Sequence, residues 1–119
     1  MRKLLPLAAL AAMALAPAAP ALAHAHVVKS TPAANATVAA PKAISVTFNE
    51  KIVPAFSKLA ISMAGMKMNV PVKTSVSADG KTLTGVPQGK FTKGSYVVNW
   101  TAASADGHKM KGSIPFKVN

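Results

Sequence analysis

Short runs in which apolar and polar residues alternate constrain the fold of this chain more than any other feature. Between residues 44 and 49, isoleucine, valine and phenylalanine occupy every second position. Successive side chains of an extended strand point to opposite faces, so such a run predicts a strand with one buried face. Seven segments favour strands, at 26–30, 44–49, 58–63, 70–76, 81–86, 95–101 and 114–118.

The spacing of these segments predicts an all-β domain. No helical stripe of useful length follows residue 23, and turn residues separate the segments, as at Asp79-Gly80, where a tight hairpin is favoured. About seven strands at this spacing are typical of a β-sandwich or Greek-key barrel. Tyr96 and Trp100 share one face of a predicted strand, so we expect both in the core.

Residues 1–23 have the features of a secretory signal peptide. A basic start precedes an apolar run from Leu4 to about Ala16, and Ala21-x-Ala23 supplies the small-residue cleavage pattern. The run is shorter than a membrane helix, which needs about 20 apolar residues, and no similar run follows. We therefore expect a secreted protein that does not span the membrane after cleavage.

Cleavage after Ala23 would leave one domain, residues 24–119, that begins with His24. A chain of this length can form a single domain with a thin core. Cleavage after Ala25 is an alternative, and it would place His26 at the terminus instead.

Composition excludes several classes of site. The absence of cysteine excludes disulfides, thiolate zinc sites, iron–sulfur clusters and blue-copper centres. The net charge of +11 falls to +9 once Arg2 and Lys3 are removed with the signal peptide. The remaining chain has no arginine and its lysines are scattered, so we expect no nucleic-acid binding and interpret the lysines as a solubilising surface.

Histidine placement indicates a metal site. After cleavage, His24 would offer its α-amine and an imidazole nitrogen to one ion. Asp106-Gly107-His108 adds a carboxylate and a second imidazole, which converge on one face if the segment is extended. Nitrogen-rich, tetragonal surroundings suit Cu(II) best among divalent first-row metals. The sequence therefore predicts a Cu(II) site shared by two distant segments.

Two other interpretations of these residues remain open. Asp106-Gly107 is also a common turn sequence, with no metal role. Alternatively, His24-Ala25-His26 could bind Cu(II) alone, through the terminal amine, two backbone amide nitrogens and the His26 ring. We favour the shared site, because a strand that starts near His26 would resist ionisation of its amides.

Five stretches of the chain together carry a resemblance to a known family. They are His24 with Ser30-Thr31-Pro32-Ala33, Val46-Thr47-Phe48-Asn49-Glu50, Tyr96-Val97-Val98-Asn99-Trp100, Ser104-Ala105-Asp106-Gly107-His108 and Gly112-Ser113-Ile114-Pro115-Phe116-Lys117-Val118. In content and order they resemble the CopC family of periplasmic copper-resistance proteins. The resemblance implies a cupredoxin-like, Ig-type Greek-key β-barrel whose Cu(II) ligands are His24, Asp106 and His108.

The resemblance also implies a Cu(I) site in a methionine-rich loop. The corresponding residues here are Met63, Met66 and Met68, and soft thioethers suit Cu(I). The loop departs from the fuller family pattern because it contains no histidine. In the alternative interpretation, Met63 belongs to a core strand and the other two methionines have no metal role.

These observations predict a copper carrier or buffer that is not an enzyme. The resemblance implies a CopD-type inner-membrane copper transporter as its partner. One alternative is a copper-dependent redox enzyme, since polysaccharide monooxygenases also use an N-terminal histidine. Six aromatic residues offer such an enzyme little substrate platform, and a carboxylate ligand would fill the position needed for oxygen. The other alternative is an Ig-like structural module.

Overall fold

A computed structural model describes residues 25–66 and 68–119 of the chain. The predicted signal peptide and His24 lie outside these residues, as does Lys67. Nine strands follow one another: β1 (Val27–Thr31), β2 (Thr37–Val38), β3 (Ile44–Phe48), β4 (Lys58–Met63), β5 (Asn69–Val70), β6 (Val72–Val76), β7 (Thr82–Pro87), β8 (Gly94–Ala103) and β9 (Lys109–Val118). One 3₁₀ turn, Pro54–Phe56, lies between β3 and β4.

The strands form two sheets, which confirms the predicted all-β class. One sheet has the strand order β1-β3-β7-β6, and the other has the order β2-β9-β8-β4-β5. Their apolar faces pack together, as shown by Phe48 of the first sheet, whose ring meets Trp100 of the second edge-on at 5.2 Å. No helix in the described part of the chain is long and apolar enough to cross a membrane.

The seven predicted segments account for eight of the nine strands, and the differences have local causes. The predicted strand at 70–76 is divided at Pro71, which has no N–H to donate to a ladder. β5 before it belongs to the five-stranded sheet, and β6 after it belongs to the four-stranded sheet. β2 and β5, with two residues each, are too short to show a period-two pattern.

Tyr96 and Trp100 are both buried, as predicted. Each packs against a ring from another strand, because residues four apart on a strand are too far separated to stack on each other. Tyr96 stacks on Phe116 at 5.7 Å and donates its hydroxyl to the carbonyl of Thr92 at 2.8 Å. The paired strands β8 and β9 therefore supply many of the buried side chains of the core.

Strand β8 runs the length of the sandwich. Its first residues pair with the end of β4, where Tyr96 lies opposite Met63. Its last residue, Ala103, pairs with Lys109 at the start of β9. The methionine loop and the Asp106-Gly107-His108 segment therefore lie at opposite ends of one strand.

Candidate metal centre

Three connections and the start of β1 meet at one end of the sandwich. The backbone N–H of Asn49 donates to the carbonyl of His26 at 3.0 Å, so the β3 exit lies beside the β1 entry. Further along, the N–H of Ile52 donates to Gly80 at 2.8 Å, and that of Val53 donates to Ala103 at 2.8 Å. Segment 49–53 therefore lies between the β6–β7 and β8–β9 connections.

The β8–β9 connection brings the predicted ligands Asp106 and His108 together. Oδ2 of Asp106 lies 2.8 Å from Nδ1 of His108, and Oδ1 accepts the His108 backbone N–H at 3.1 Å. The prediction that carboxylate and imidazole converge is correct, but the extended backbone assumed for it is wrong. The segment is a turn, closed by the N–H of Gly107 on the carbonyl of Ser104 at 2.9 Å, with Gly107 at a φ of +92°.

Ser104 is a site residue that the sequence analysis missed. It is only 1% exposed, and its hydroxyl donates to Oδ1 of Asp106. That hydrogen bond, followed by those from the backbone N–H and the imidazole of His108, holds the pKa of the Asp106 carboxyl well below its usual range. The carboxylate is therefore ionised and fixed in place at neutral pH.

A signal for Ser104 was present in the sequence, because the tetrapeptide Ser-Ala-Asp-Gly occurs twice. Its other copy, Ser77-Ala78-Asp79-Gly80, is the β6–β7 turn. There the Ser77 hydroxyl donates to Asp79, the N–H of Lys81 donates to the same carboxylate at 3.0 Å, and Gly80 has a φ of +77°. The pKa of Asp79 is also lowered, first by Ser77 and then by the Lys81 backbone. The chain thus builds one carboxylate-holding turn at two places.

All acidic residues of the chain lie at this end of the sandwich. The sequence contains three, namely Glu50, Asp79 and Asp106, one on each of the three connections. Two described histidines, His26 and His108, lie there as well. Negative charge and imidazole groups are therefore concentrated at one end of a chain that is otherwise strongly basic.

His26 is held by Asn49 through both its backbone and its ring. The backbone N–H of His26 donates to Oδ1 of Asn49 at 2.6 Å, and Nδ2 of Asn49 lies 3.3 Å from Nε2 of His26. Ala25, just before it, is 4% exposed and belongs to the core. The start of the described chain is therefore anchored at the end that carries Asp106 and His108.

The predicted Cu(I) ligands lie at the opposite end, in the β4–β5 loop. Met63 is half-buried against the core, while Met66 and Met68 are 55% and 61% exposed. The loop is closed by the N–H of Met63 on the carbonyl of Met68 at 2.9 Å. Met63 therefore packs against the core from the end of β4, and the other two thioethers are open to solvent.

Within residues 25–66 and 68–119, no three histidine or acidic side chains form a cluster able to hold a metal. Asp106 and His108 supply two candidate ligands, and the predicted third, His24, lies outside the described residues. Nδ1 of His108 donates to Asp106 in this structure, so the two side chains could bind one ion together only after this hydrogen bond is broken and the imidazole turns.

Known proteins match this chain over nearly all of its described residues. The family model described as CopC domain matches residues 27–119. Copper resistance protein C of Xanthomonas campestris pv. juglandis is 41% identical over 106 residues, which cover 84% of each chain. The crystal structure of PcoC, a methionine-rich copper resistance protein from Escherichia coli, matches with a TM-score of 0.74 at 35% identity, covering 81% of this chain and 99% of that one.

A longer relative contains a similar segment. The copper transport protein CutJ of Bacillus subtilis (strain 168) is 33% identical over 98 residues, which cover 81% of this chain and 18% of that protein. A domain of this kind thus occurs both as nearly a whole protein and as a minor part of a larger one.

Proposed function

Because the chain belongs to the CopC family of copper resistance proteins, we propose that it is a periplasmic copper carrier or buffer rather than an enzyme. In this proposal, residues 1–23 are removed and Cu(II) is held by the amine and imidazole of His24 together with Asp106 and His108. The observation that carries the proposal is that the Asp106 carboxylate and the His108 imidazole meet at the same end of the sandwich as the start of β1.

The position of Ala25 supports the participation of His24. Ala25 is buried, and His26 after it is hydrogen-bonded to Asn49. Asn49 follows β3 at the end of the sandwich that carries Asp106 and His108. His24 directly precedes Ala25, and consecutive Cα atoms are about 3.8 Å apart. The proposed terminal histidine is thus joined covalently to a residue that is anchored at the end carrying Asp106 and His108.

The Asn49 contacts favour the shared site over a local chelate at His24-Ala25-His26. The local chelate requires the His26 backbone nitrogen to lose its proton and bind copper. In the fold, that N–H donates to Asn49 at 2.6 Å, so the chelate would break a short hydrogen bond and displace a buried alanine. We expect Asn49→Ala to shift part of the Cu(II) to the local chelate, seen as a blue-shifted visible absorption band.

The methionine loop is the proposed Cu(I) site, with Met66 and Met68 as its accessible ligands and Met63 as the third. Their exposure supports capture of an ion from solution, since a thioether must reach the metal directly. Replacing Met66 and Met68 together with leucine should abolish Cu(I) binding and leave Cu(II) binding unchanged. Unchanged Cu(I) binding would contradict the assignment.

The proposed partner is a copper transporter of the inner membrane, of the CopD type. The similarity to a segment of CutJ supports this partner, because that copper transport protein carries a comparable domain within its own chain. Two alternatives can be tested separately. If the chain were a redox enzyme, its copper-loaded form would consume peroxide in the presence of reductant faster than free copper does. An Ig-like structural module would lose its Cu(II) on desalting.

The decisive experiment is a Cu(II) competition titration, with EPR, of protein whose N-terminus is confirmed as His24. We expect one tightly held Cu(II), and a loss of affinity of orders of magnitude together with a changed spectrum in His108→Ala. A form with one extra residue before His24 serves as a second test, since it lacks the terminal amine at the right position. Equal binding by all three forms would overturn the proposal.

A further inference from the structure

An exposed phenylalanine lies beside the Asp106–His108 end of the sandwich. Phe56, at the end of the 3₁₀ turn, is 61% exposed. Around it, the outer face of the five-stranded sheet contributes Lys58, Thr101, Lys109 and Lys111. These five residues are called the Phe56 patch below. An aromatic ring exposed in this way offers a large apolar area whose burial in a complex is favourable.

The 3₁₀ turn holds Phe56 in a fixed position. Ser57 is buried, and its hydroxyl donates to the carbonyl of Val53 at 2.8 Å and accepts the N–H of Ala103 at 3.3 Å. The N–H of Val53 donates in turn to the carbonyl of Ala103 at 2.8 Å. The turn is thus fastened to the end of β8, so docking onto Phe56 would cost little ordering of the chain.

Two clefts border the ring. One, of about 360 Å³, is lined by Phe56, Ala102, Met110 and neighbouring lysines, and the other, of about 400 Å³, runs between Phe56 and Lys58. The first has an apolar floor with charged walls. This arrangement fits an apolar side chain whose neighbours carry negative charge.

The three lysines of the patch form no ion pair with any carboxylate of the described residues. Lys58 and Lys111 lie on either side of Thr101 in one row across the sheet, and Lys109 lies on the same face two residues before Lys111. The ammonium of Lys109 is 5.8 Å from the centroid of the Phe56 ring. In residues 25–66 and 68–119, no lysine forms an ion pair with a carboxylate. The patch is therefore complementary to a surface rich in carboxylates.

We propose that the Phe56 patch is a docking site for an acidic segment of a partner protein. An apolar side chain of that segment enters the cleft beside Phe56, and its carboxylates meet Lys58, Lys109 and Lys111. Because Lys109 directly follows His108, a docked partner lies next to the Asp106–His108 turn. The proposal does not depend on copper binding, since every residue of the patch is placed by the fold alone.

The shape and charge of the patch favour a protein segment over other occupants. A bilayer presents a flat surface, whereas the cleft accepts a protruding side chain. A second copy of this chain would bring a strongly basic surface, at a net charge of +11 for the full sequence, against three lysines. A flexible acidic segment avoids both difficulties.

The test is an NMR titration of isotope-labelled, copper-free protein with the capped hexapeptide Glu-Glu-Leu-Phe-Glu-Glu at low ionic strength. We expect amide shifts concentrated at residues 55–58 and 109–111. Phe56→Ala and Lys109→Gln should each weaken binding about fivefold or more. The matched controls Val28→Ala, which truncates an exposed apolar residue of β1, and Lys73→Gln, on β6, should leave it unchanged.

Several results would overturn the proposal. Equal binding by Phe56→Ala, or amide shifts spread over lysines throughout the chain, would indicate only non-specific attraction. Binding to phosphatidylglycerol vesicles that requires Phe56, without binding to the peptide, would assign the patch to a membrane surface. Self-association that is lost in Phe56→Ala would assign it to a second copy.

Discussion

The two Ser-Ala-Asp-Gly turns are alike in sequence and hydrogen bonding, and they differ in the residue that follows. In both, a serine hydroxyl and the backbone N–H two residues after the aspartate hold the carboxylate. After the first turn comes Lys81, and after the second comes His108, whose ring donates to Asp106. The turn is thus a generic device for fixing a carboxylate, and one imidazole converts it into a candidate metal site.

The largest expected effect comes from removing this difference. His108→Lys gives the second turn the sequence of the first and should lower Cu(II) affinity by at least about 100-fold, because a nitrogen ligand is lost. As a control, Lys81→Ala changes the residue after the first turn and should leave the Cu(II) affinity unchanged. Competition titrations measure both, and a similar loss in the two variants would mean that the turns do not differ in copper binding.

A smaller effect is expected from the two serines. Ser104→Ala removes the main hydrogen bond to Asp106 and should weaken Cu(II) binding about tenfold, as loss of a supporting contact to a ligand does. Ser77→Ala breaks the equivalent bond and should leave copper binding unaltered. Each variant should lose about 1 kcal/mol of unfolding free energy in urea titrations. Equal copper affinities would show that Ser104 only stabilises the turn.

Both turns use glycine at a positive φ, so their backbones should respond alike. Gly107→Ala and Gly80→Ala should each cost about 1 kcal/mol of stability, because an L-residue is strained in that region. A Cβ at Gly107 would meet no atom within 4 Å, whereas one at Gly80 would lie 3.3 Å from Lys51. Denaturant unfolding should therefore show a cost at Gly80 equal to or slightly above that at Gly107.

The smallest effect concerns acid. A carboxyl whose pKa is lowered by folding stabilises the fold above its unfolded pKa, and this contribution is lost as pH falls through the folded value. Asp106→Asn should therefore be less stable than the unaltered protein at pH 7, and the difference should shrink below about pH 4. Asp79→Asn should follow the same trend more weakly. Thermal melts between neutral and acidic pH would measure the two differences.

Period-two alternation was enough to predict the class of the fold and most of its strands. It could not predict which strands are neighbours, because alternation defines the buried face of a strand and not its partner. The division at Pro71 into strands of two sheets is such a case. A proline within a predicted strand indicates a break in its hydrogen bonding. The sequence does not indicate which of the two sheets the residues on each side of the break will join.

For the candidate site, residue types were more informative than backbone geometry. Asp106 and His108 were identified because few other residues of the chain bind metals, yet their convergence depends on a turn and on buried Ser104. Asn49 was missed as well, since its bonds to His26 join residues 23 positions apart. Only the pairing of β1 with β3 brings those two together.

The length of β8 has a kinetic consequence. Tyr96, opposite Met63, and Ala103, at the entry to the Asp106 turn, are seven positions apart, which is about 23 Å at roughly 3.3 Å per residue. A packed core fills the space between, so an ion has no route through the domain from thioether to imidazole. Copper that leaves one proposed site could therefore reach the other only through solvent or through an encounter with a second molecule, and a passage from the Cu(I) site to the Cu(II) site would also need an external oxidant.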